Sequence, residues 1–542
     1  MSVNDYENTP DYMNATAVQT INIVPQPASC VRGDGAFRID SATLIVAGSG
    51  TRAEAEMLVN ILSTSLGSKP EIVDKEDSTR PCIRLEIANR STPLEGYRLK
   101  VTPGQVVIQA SSQAGVFYGL QTLLQLLPAE ALASTAAAGL SIPCVDIDDA
   151  PRFAWRGAMI DVARYFFPVD YIKRFIDLLA MHKMNVLHLH LTDDQGWRME
   201  IKKYPRLTSV GAYRRETLTT HLGPNKTSHL LPGNGNPHSG FYTQEEAREI
   251  VEYARRRHIV VVPEIELPGH ARAAIAAYPE FGTRAEPVDV GKSWGPHEDV
   301  FKPSPETFAF LENVLTEVMD IFPSIFIHIG GDEVIKDQWE SSDYCRALMA
   351  ERGLKDVQEL QSYFIRHFDT FLAEHGRRLV GWDEILEGGL APGATVMSWR
   401  GESGGTAAAS AGHDVVMTPE SYTYFDLYQA DPATEPKAIG GYLSLEKAYG
   451  YDPIPAELPV DKAHHVLGAQ AQIWTEYIST TEHLEYMAFP RLPALAEVMW
   501  TQNINKDYDD FLFRLQNSHL HRLDTLGVKY RPLTGPTPVT NL

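Results

Sequence analysis

Cysteine is scarce in this chain: four in 542 residues, none in a CxxC pair. Cys30, Cys82, Cys144 and Cys345 stand far apart, so no zinc or thiol-redox motif arises. A disulfide framework is not expected in a chain of this size. Positive charge is also in deficit, 48 Lys and Arg against 70 Asp and Glu, a formal net charge of −22. Such a surface repels nucleic acid and anionic membranes, and it suits a neutral substrate better than a polyanion. No apolar run reaches the roughly 18 residues that a membrane span needs. The first twenty residues, MSVNDYENTPDYMNATAVQT, lack the basic and apolar segments of a signal peptide. The expectation is a cytoplasmic protein, or a periplasmic or secreted one if an export signal has been removed. No repeat with a period of roughly 20–50 residues is visible.

What is present is core-forming material: 44% of the residues are hydrophobic, in a chain long enough for two domains. Residues 1–20 read as an extended or disordered N-terminus, 21–150 as a smaller accessory α/β domain, 151–530 as a large catalytic domain and 531–542 as a tail. In the accessory domain, YRLKV and QVVIQA flank TPG as a hairpin, and AGVFYGLQTLLQLL follows as a helix. From 151 onward short apolar runs alternate with helix-period segments. The runs are GAMIDVAR, NVLHLHLTDD, IVVVPEIEL, FIHIGGDE, RLVGWDEI, TVMSWRG, DVVMTPES and HVLGAQAQIWTE. Continuous apolar runs suit strands buried on both faces, and eight of them separated by helices predict a (β/α)8 TIM barrel.

Polar and aromatic residues gather at the C-terminal ends of these runs: Arg164, Asp193, Asp194, Glu264, His270, Asp332, Glu333, Trp382, Asp383, Trp399, Trp474 and Glu476. In a parallel barrel those ends meet at one face, where barrel active sites lie. Asp332 and Glu333 are adjacent, after Gly330 and Gly331. Ordinary glycosidase carboxyls sit roughly 5–9 Å apart, on opposite sides of the bond that breaks. Neighbours on a strand point to opposite faces, so this pair alone does not clamp a bond. One of them becomes a proton donor if burial raises its pKa. Trp382, Trp399 and Trp474 suggest an aromatic wall for the apolar face of a sugar ring. Arg164 offers a donor fork for hydroxyls. Tyr424 and Asp426 lie in SYTYFDLY, where a Tyr hydroxyl can donate to a carbonyl-type oxygen. Two competing readings stand beside this one. His188, His190, His270 and His328 offer a four-histidine metal hydrolase, against which they are satisfied core histidines. A non-catalytic sugar-binding barrel would keep the tryptophans and have no need of the acidic pair.

The motifs DVARYFFP, HLTDDQGWR, PEIELPGH, HIGGDEV, GWDEI, SWRG, YTYFD and AQIWTE, in this order, resemble those of glycoside hydrolase family 20, the exo-acting β-N-acetylhexosaminidases. The resemblance implies a retaining hydrolase with no metal or cofactor, acting on terminal β-linked GlcNAc or GalNAc of an oligosaccharide or glycoconjugate. It implies that the nucleophile is the substrate's own 2-acetamido oxygen. Glu333 would be the general acid and base, and Asp332 would orient the acetamide and stabilise an oxazolinium ion. Tyr424 would donate to the acetamide oxygen, while Trp382, Trp399 and Trp474 wall the N-acetyl pocket. Arg164 would hold the 3- and 4-hydroxyls, with Asp426 and Glu476 on the 4- and 6-hydroxyls. Asp193 and His270 would tune Glu333. The 195–242 stretch, rich in Gly, Pro and Asn, is expected to shape the aglycone side.

Overall fold

The computed structural model describes residues 21–88, 93–132, 139–218 and 233–534. The N-terminus expected over 1–20 and most of the tail expected over 531–542 lie outside them. Among the described residues no helix is long and apolar enough to cross a membrane.

The upstream part is a seven-stranded mixed sheet in the order Ser29–Ile39, Leu140–Asp149, Tyr97–Val101, Gln105–Ala110, Cys82–Ile87, Leu44–Ala47, Glu71–Val73. Tyr97–Val101 and Gln105–Ala110 form the antiparallel hairpin that the TPG turn predicts. Helix Gln113–Leu126 follows, started by the Ser112 hydroxyl, which accepts from the Gly115 N–H. It packs on this hairpin beside helix Arg52–Leu66.

Downstream, eight parallel strands close into a barrel. They are Trp155–Asp161, Val186–His190, Val260–Glu264, Phe326–His328, Arg378–Trp382, Thr395–Ser398, Val415–Met417 and Val466–Ile473. The last pairs with the first and completes the ring. Local sequence sets the helices between them. Val169–Met181 buries Ile172, Ile176 and Leu179 on one face. Gln244–Arg255 begins with a capping box between Thr243 and Glu246. Pro305–Ile321 starts with Ser304 as cap and Pro305 in the first turn.

Each strand is shorter than its apolar run predicts, because the chain leaves the ladder before the motif residues begin. The fourth strand stops at His328, and Gly330 and Gly331 follow with φ of 66° and 93°, a left-handed step that glycine takes without a Cβ clash. The fifth stops at Trp382 and tightens into a 3-10 turn over Asp383–Leu386. The chemistry-bearing side chains therefore sit on loops fanning out of a rigid ring.

The sheet docks on the opposite, N-terminal end of the barrel. There Arg156 donates to Glu95 at 2.8 and 3.0 Å, and Lys183 Nζ lies 3.0 Å from Asp149 and 2.9 Å from the Tyr97 hydroxyl. Burial works against the Lys183 charge and lowers its pKa, while Asp149 holds the proton on.

Candidate active site

A cavity of about 410 Å³ opens at the C-terminal mouth of the barrel. It collects Arg164, Asp193, His270, Asp332, Glu333, Trp382, Trp399, Tyr424, Asp426, Trp474 and Glu476, contributed by the loops after seven of the eight strands and, for Trp382, by the end of the fifth strand itself. A larger crevice, about 1070 Å³, lies between helix Arg52–Leu66 and the outside of the barrel. Its buried arginine, Arg522, is taken up by the carbonyls of Leu124, Gln125 and Leu127, and Arg257 pairs with Asp177. Among the described residues none of the clustered His and carboxylate groups lines it, and we read it as an interdomain crevice.

The left-handed turn resolves the geometry of the acidic pair. Gly330, Gly331 and Glu333 all have positive φ, 46° at Glu333, so Asp332 and Glu333 do not diverge as strand neighbours would. An oxygen of each carboxylate and a ring nitrogen of His270 lie within 4.8 Å of one another. His270 Nε2 is 3.6 Å from Asp332 Oδ2 and 3.5 Å from Glu333 Oε2. The two acids differ in exposure: the Asp332 side chain is 12% exposed and that of Glu333 42%.

His270 is in turn held from behind, with Nδ1 3.3 Å from Asp193 and 3.2 Å from Asp194. Burial opposes its charge, but Asp193 and Asp332 outweigh that and keep it protonated, its pKa well above the usual value. This corrects one expectation. Burial does push the Glu333 carboxyl up, but the His270 cation holds it below its usual value. Arg164 lies 2.8 Å from Asp193, 3.2 Å from Asp161 and 3.9 Å from Glu476, and its Nε donates to Gln195 at 2.9 Å. Its guanidinium carbon sits 5.1 Å above the Trp474 ring. Glu476 is thus a loose partner for Arg164, and both side chains line the cavity.

Trp399 stacks on Tyr424 with ring centroids 6.2 Å apart, and Trp382 lies 5.8 Å from Trp474. Burial raises the Tyr424 hydroxyl well above its usual value, so it stays a donor. Burial and the neighbouring Glu476 push Asp426 well up. Glu384, which the sequence reading passed over within GWDEI, accepts from the Trp399 indole N–H at 2.9 Å. Burial and the charge of Asp332 push its carboxyl up to about 8. Gly295, Pro296, Leu427 and Gly440 also line the cavity and went unnoticed in the sequence. The described part of 195–242 does not line this cavity; Gln195 braces Arg164 from behind. The centre of that stretch, 219–232, lies outside the described residues.

The four histidines of the metal reading do not form one site: His188, His190 and His328 gather round Glu264, and His270 stands apart. Parallel register places Glu264 level with His190 on one side and His328 on the other, with His188 two residues below His190 on the same face. Glu264 is therefore a buried hub: it pairs closely with His190 Nδ1, lies 3.1 Å from His188 and 2.8 Å from His328, and accepts from the Trp382 indole at 2.9 Å. Burial opposes its charge, but the three histidines hold it well below the usual carboxylate range. His190 bridges this hub to Asp193 at 2.9 Å, while His270 stands with the Asp193 and Asp194 carboxylates instead. The histidines act as an internal brace beneath the pocket.

A closed parallel barrel with a cavity of carboxylates, one arginine and tryptophans at its C-terminal mouth defines a barrel glycoside hydrolase. The chain belongs to glycosyl hydrolase family 20: its catalytic-domain model matches residues 153–503 and its domain 2 model residues 20–150. A beta-hexosaminidase from Porphyromonas gingivalis is 47% identical over 516 residues, which cover 94% of this chain. The chain spans 64% of the length of that relative. Among solved structures, a GH20 exo beta-N-acetylglucosaminidase from Vibrio harveyi in complex with N-acetylglucosamine superposes with a TM-score of 0.83. It is 35% identical, over 94% of this chain and 78% of its own. A GH20 beta-N-acetylhexosaminidase from Streptomyces coelicolor gives 0.82 at 32% identity, over 96% and 99%.

Proposed function

We propose that the chain removes terminal, non-reducing β-linked N-acetylhexosamine, GlcNAc or GalNAc, from glycans by substrate-assisted catalysis. The observation that carries this reading is the convergence of Asp332 and Glu333, with oxygens within 4.8 Å on one side of the pocket. Two carboxylates that issue from one turn and both meet His270 are poorly placed to flank a bond from opposite sides, as an ordinary glycosidase pair does about 5–9 Å apart. A nucleophile from the substrate removes the need for such a clamp. The cavity is near the small end of the roughly 300–1,000 Å³ common for ligand sites, which suits one pyranose and its N-acetyl arm at a chain end.

In the first step the acetamide oxygen attacks C1 and forms the oxazolinium ring. The bond from C1 to the leaving oxygen breaks, and Glu333 transfers its proton to that oxygen. Asp332 accepts from the acetamide N–H and balances the positive charge as it develops. Tyr424 donates to the acetamide oxygen, within a wall of Trp382, Trp399 and Trp474. In the second step Glu333 takes a proton from water as the water attacks C1. The ring opens and the anomeric configuration is retained. Tethering nucleophile to electrophile gives the reaction an intramolecular advantage. Glu333 reaches its protonated form when an aglycone covers its exposed side and excludes water, which favours the neutral acid. Arg164 binds ring hydroxyls with Asp426 and Glu476. Following the freshly released sugar by NMR, with aryl β-GlcNAc and β-GalNAc as substrates, tests this: the β-anomer appears first. Initial release of the α-anomer would contradict it.

A further inference from the structure

Glu266, two residues after the Glu264 hub, has no role in the scheme above. Its side chain is buried, and neither carboxyl oxygen has a hydrogen-bond partner among the described residues. It is wedged under the catalytic turn: a Cβ on Gly330 would stand 1.7 Å from Glu266 Oε2. Asp332 presents the complementary defect. Its Oδ2 faces His270, while its Oδ1 is closed to solvent and also lacks a partner. Asp332 exerts the largest electrostatic effect of any group on Glu266. Three oxygens without donors thus flank one buried turn, those of Glu266 against Gly330 and Oδ1 of Asp332 two residues on, and a proton on the Glu266 carboxyl is the simplest group that pairs one of them with Oδ1. A buried, unpaired anion beside another carboxylate would carry a large desolvation cost.

We propose that Glu266 is a positioning residue: a carboxylic acid that keeps its proton and offers it to Oδ1 of Asp332, fixing the rotamer in which Oδ2 meets the substrate. This rests on the acetamide-orienting role assigned to Asp332. The charged and titratable groups facing Glu266 are Asp332, Glu264, Asp193, His270 and His190, the last 3.9 Å away. Burial and the surrounding carboxylates push Glu266 well above the usual range, outweighing His270. As a neutral donor it steadies Asp332 without adding negative charge beneath the acid pair.

Wild type, E266Q and E266L, assayed on an aryl β-GlcNAc with melting temperatures measured in parallel, test the proposal. Gln keeps a neutral donor of similar size and holds kcat within about threefold. Leu removes the donor and lowers kcat about 10- to 100-fold at nearly constant KM, the scale of one buried polar atom left unsatisfied. Infrared spectra near neutral pH show a buried carboxylic-acid carbonyl band in wild type that E266Q lacks. Gln as damaging as Leu, a Leu defect confined to melting temperature, or an acid band unchanged between wild type and E266Q would each overturn the proposal. If wild type instead cleaves β-glucosides as fast as β-GlcNAc, the acetamide reading fails, whichever way the Glu266 series falls.

Discussion

The two ends of the barrel both bury charge, and they bury it differently. At the N-terminal end, Arg156 faces Glu95 and Lys183 faces Asp149, with the hydroxyls of Tyr118 and Tyr97 and the Trp500 indole completing the shell. Cations and anions balance there and hold the sheet to the barrel. At the C-terminal end, Asp193, Asp332, Glu333, Asp426 and Glu476 share a cavity with one arginine and one histidine. The excess acid leaves carboxyls whose proton occupancy depends on what fills the pocket. Balanced burial is structural, and unbalanced burial is poised for chemistry.

Four substitutions break or sharpen this contrast. The largest expected effect is at the open end. Glu333→Gln lowers the rate on a poor leaving group by about 10²–10⁴-fold and by much less on an activated aryl glycoside, with melting temperature nearly unchanged. Equal losses on both substrates would remove Glu333 as the general acid. At the closed end Lys183→Met leaves Asp149 buried without its cation and costs about 3–5 kcal/mol of stability. Chemical denaturation measures that, and kcat per folded molecule stays at the wild-type value; a stable but inactive protein would deny the contrast. Asp332→Asn loses about 10²–10³-fold even with activated leaving groups, because the acetamide step still needs its charge. A rate that recovers with the leaving group would point to another partner for the acetamide. The smallest effect is a shift in pH dependence. The His270 cation depresses Glu333, so His270→Gln raises the acid's pKa and moves the alkaline limb of kcat/KM to higher pH. A limb that stays fixed or moves down would show that His270 does not set it.

The sequence made the contrast visible only in part. Eight buried runs and the polar residues beyond their C-terminal ends were enough to predict a parallel barrel and where its mouth residues would meet, because strand direction alone brings those ends together. Strand lengths were overestimated, since GGDE and WDEI read as continuations of apolar runs until the left-handed turn and the 3-10 turn are seen. In PEIEL the two acids look equivalent. Register gives Glu264 three histidines and an indole and leaves Glu266 without a hydrogen-bond partner among the described residues, a difference that depends on strands far apart in the chain. His188 and His190, alternate residues on one strand, look like metal ligands until register sets Glu264 beside His190 and His328. Gly295, Pro296 and Gly440 escaped notice because the path of a rim loop depends on long-range packing and has no periodicity to read. The balanced pairs of the closed end were invisible for the same reason: Glu95 and Arg156 lie 61 residues apart.

The most direct test of the account removes the substrate's acetamide. Wild-type kcat/KM is compared for an aryl β-GlcNAc and the matching aryl β-glucoside, which carries a hydroxyl at C2. If the arm is the nucleophile and Asp332 its guide, the glucoside is slower by at least about 10³-fold, a fraction of the advantage a tethered nucleophile provides. Cleavage of the two at comparable rates would contradict it.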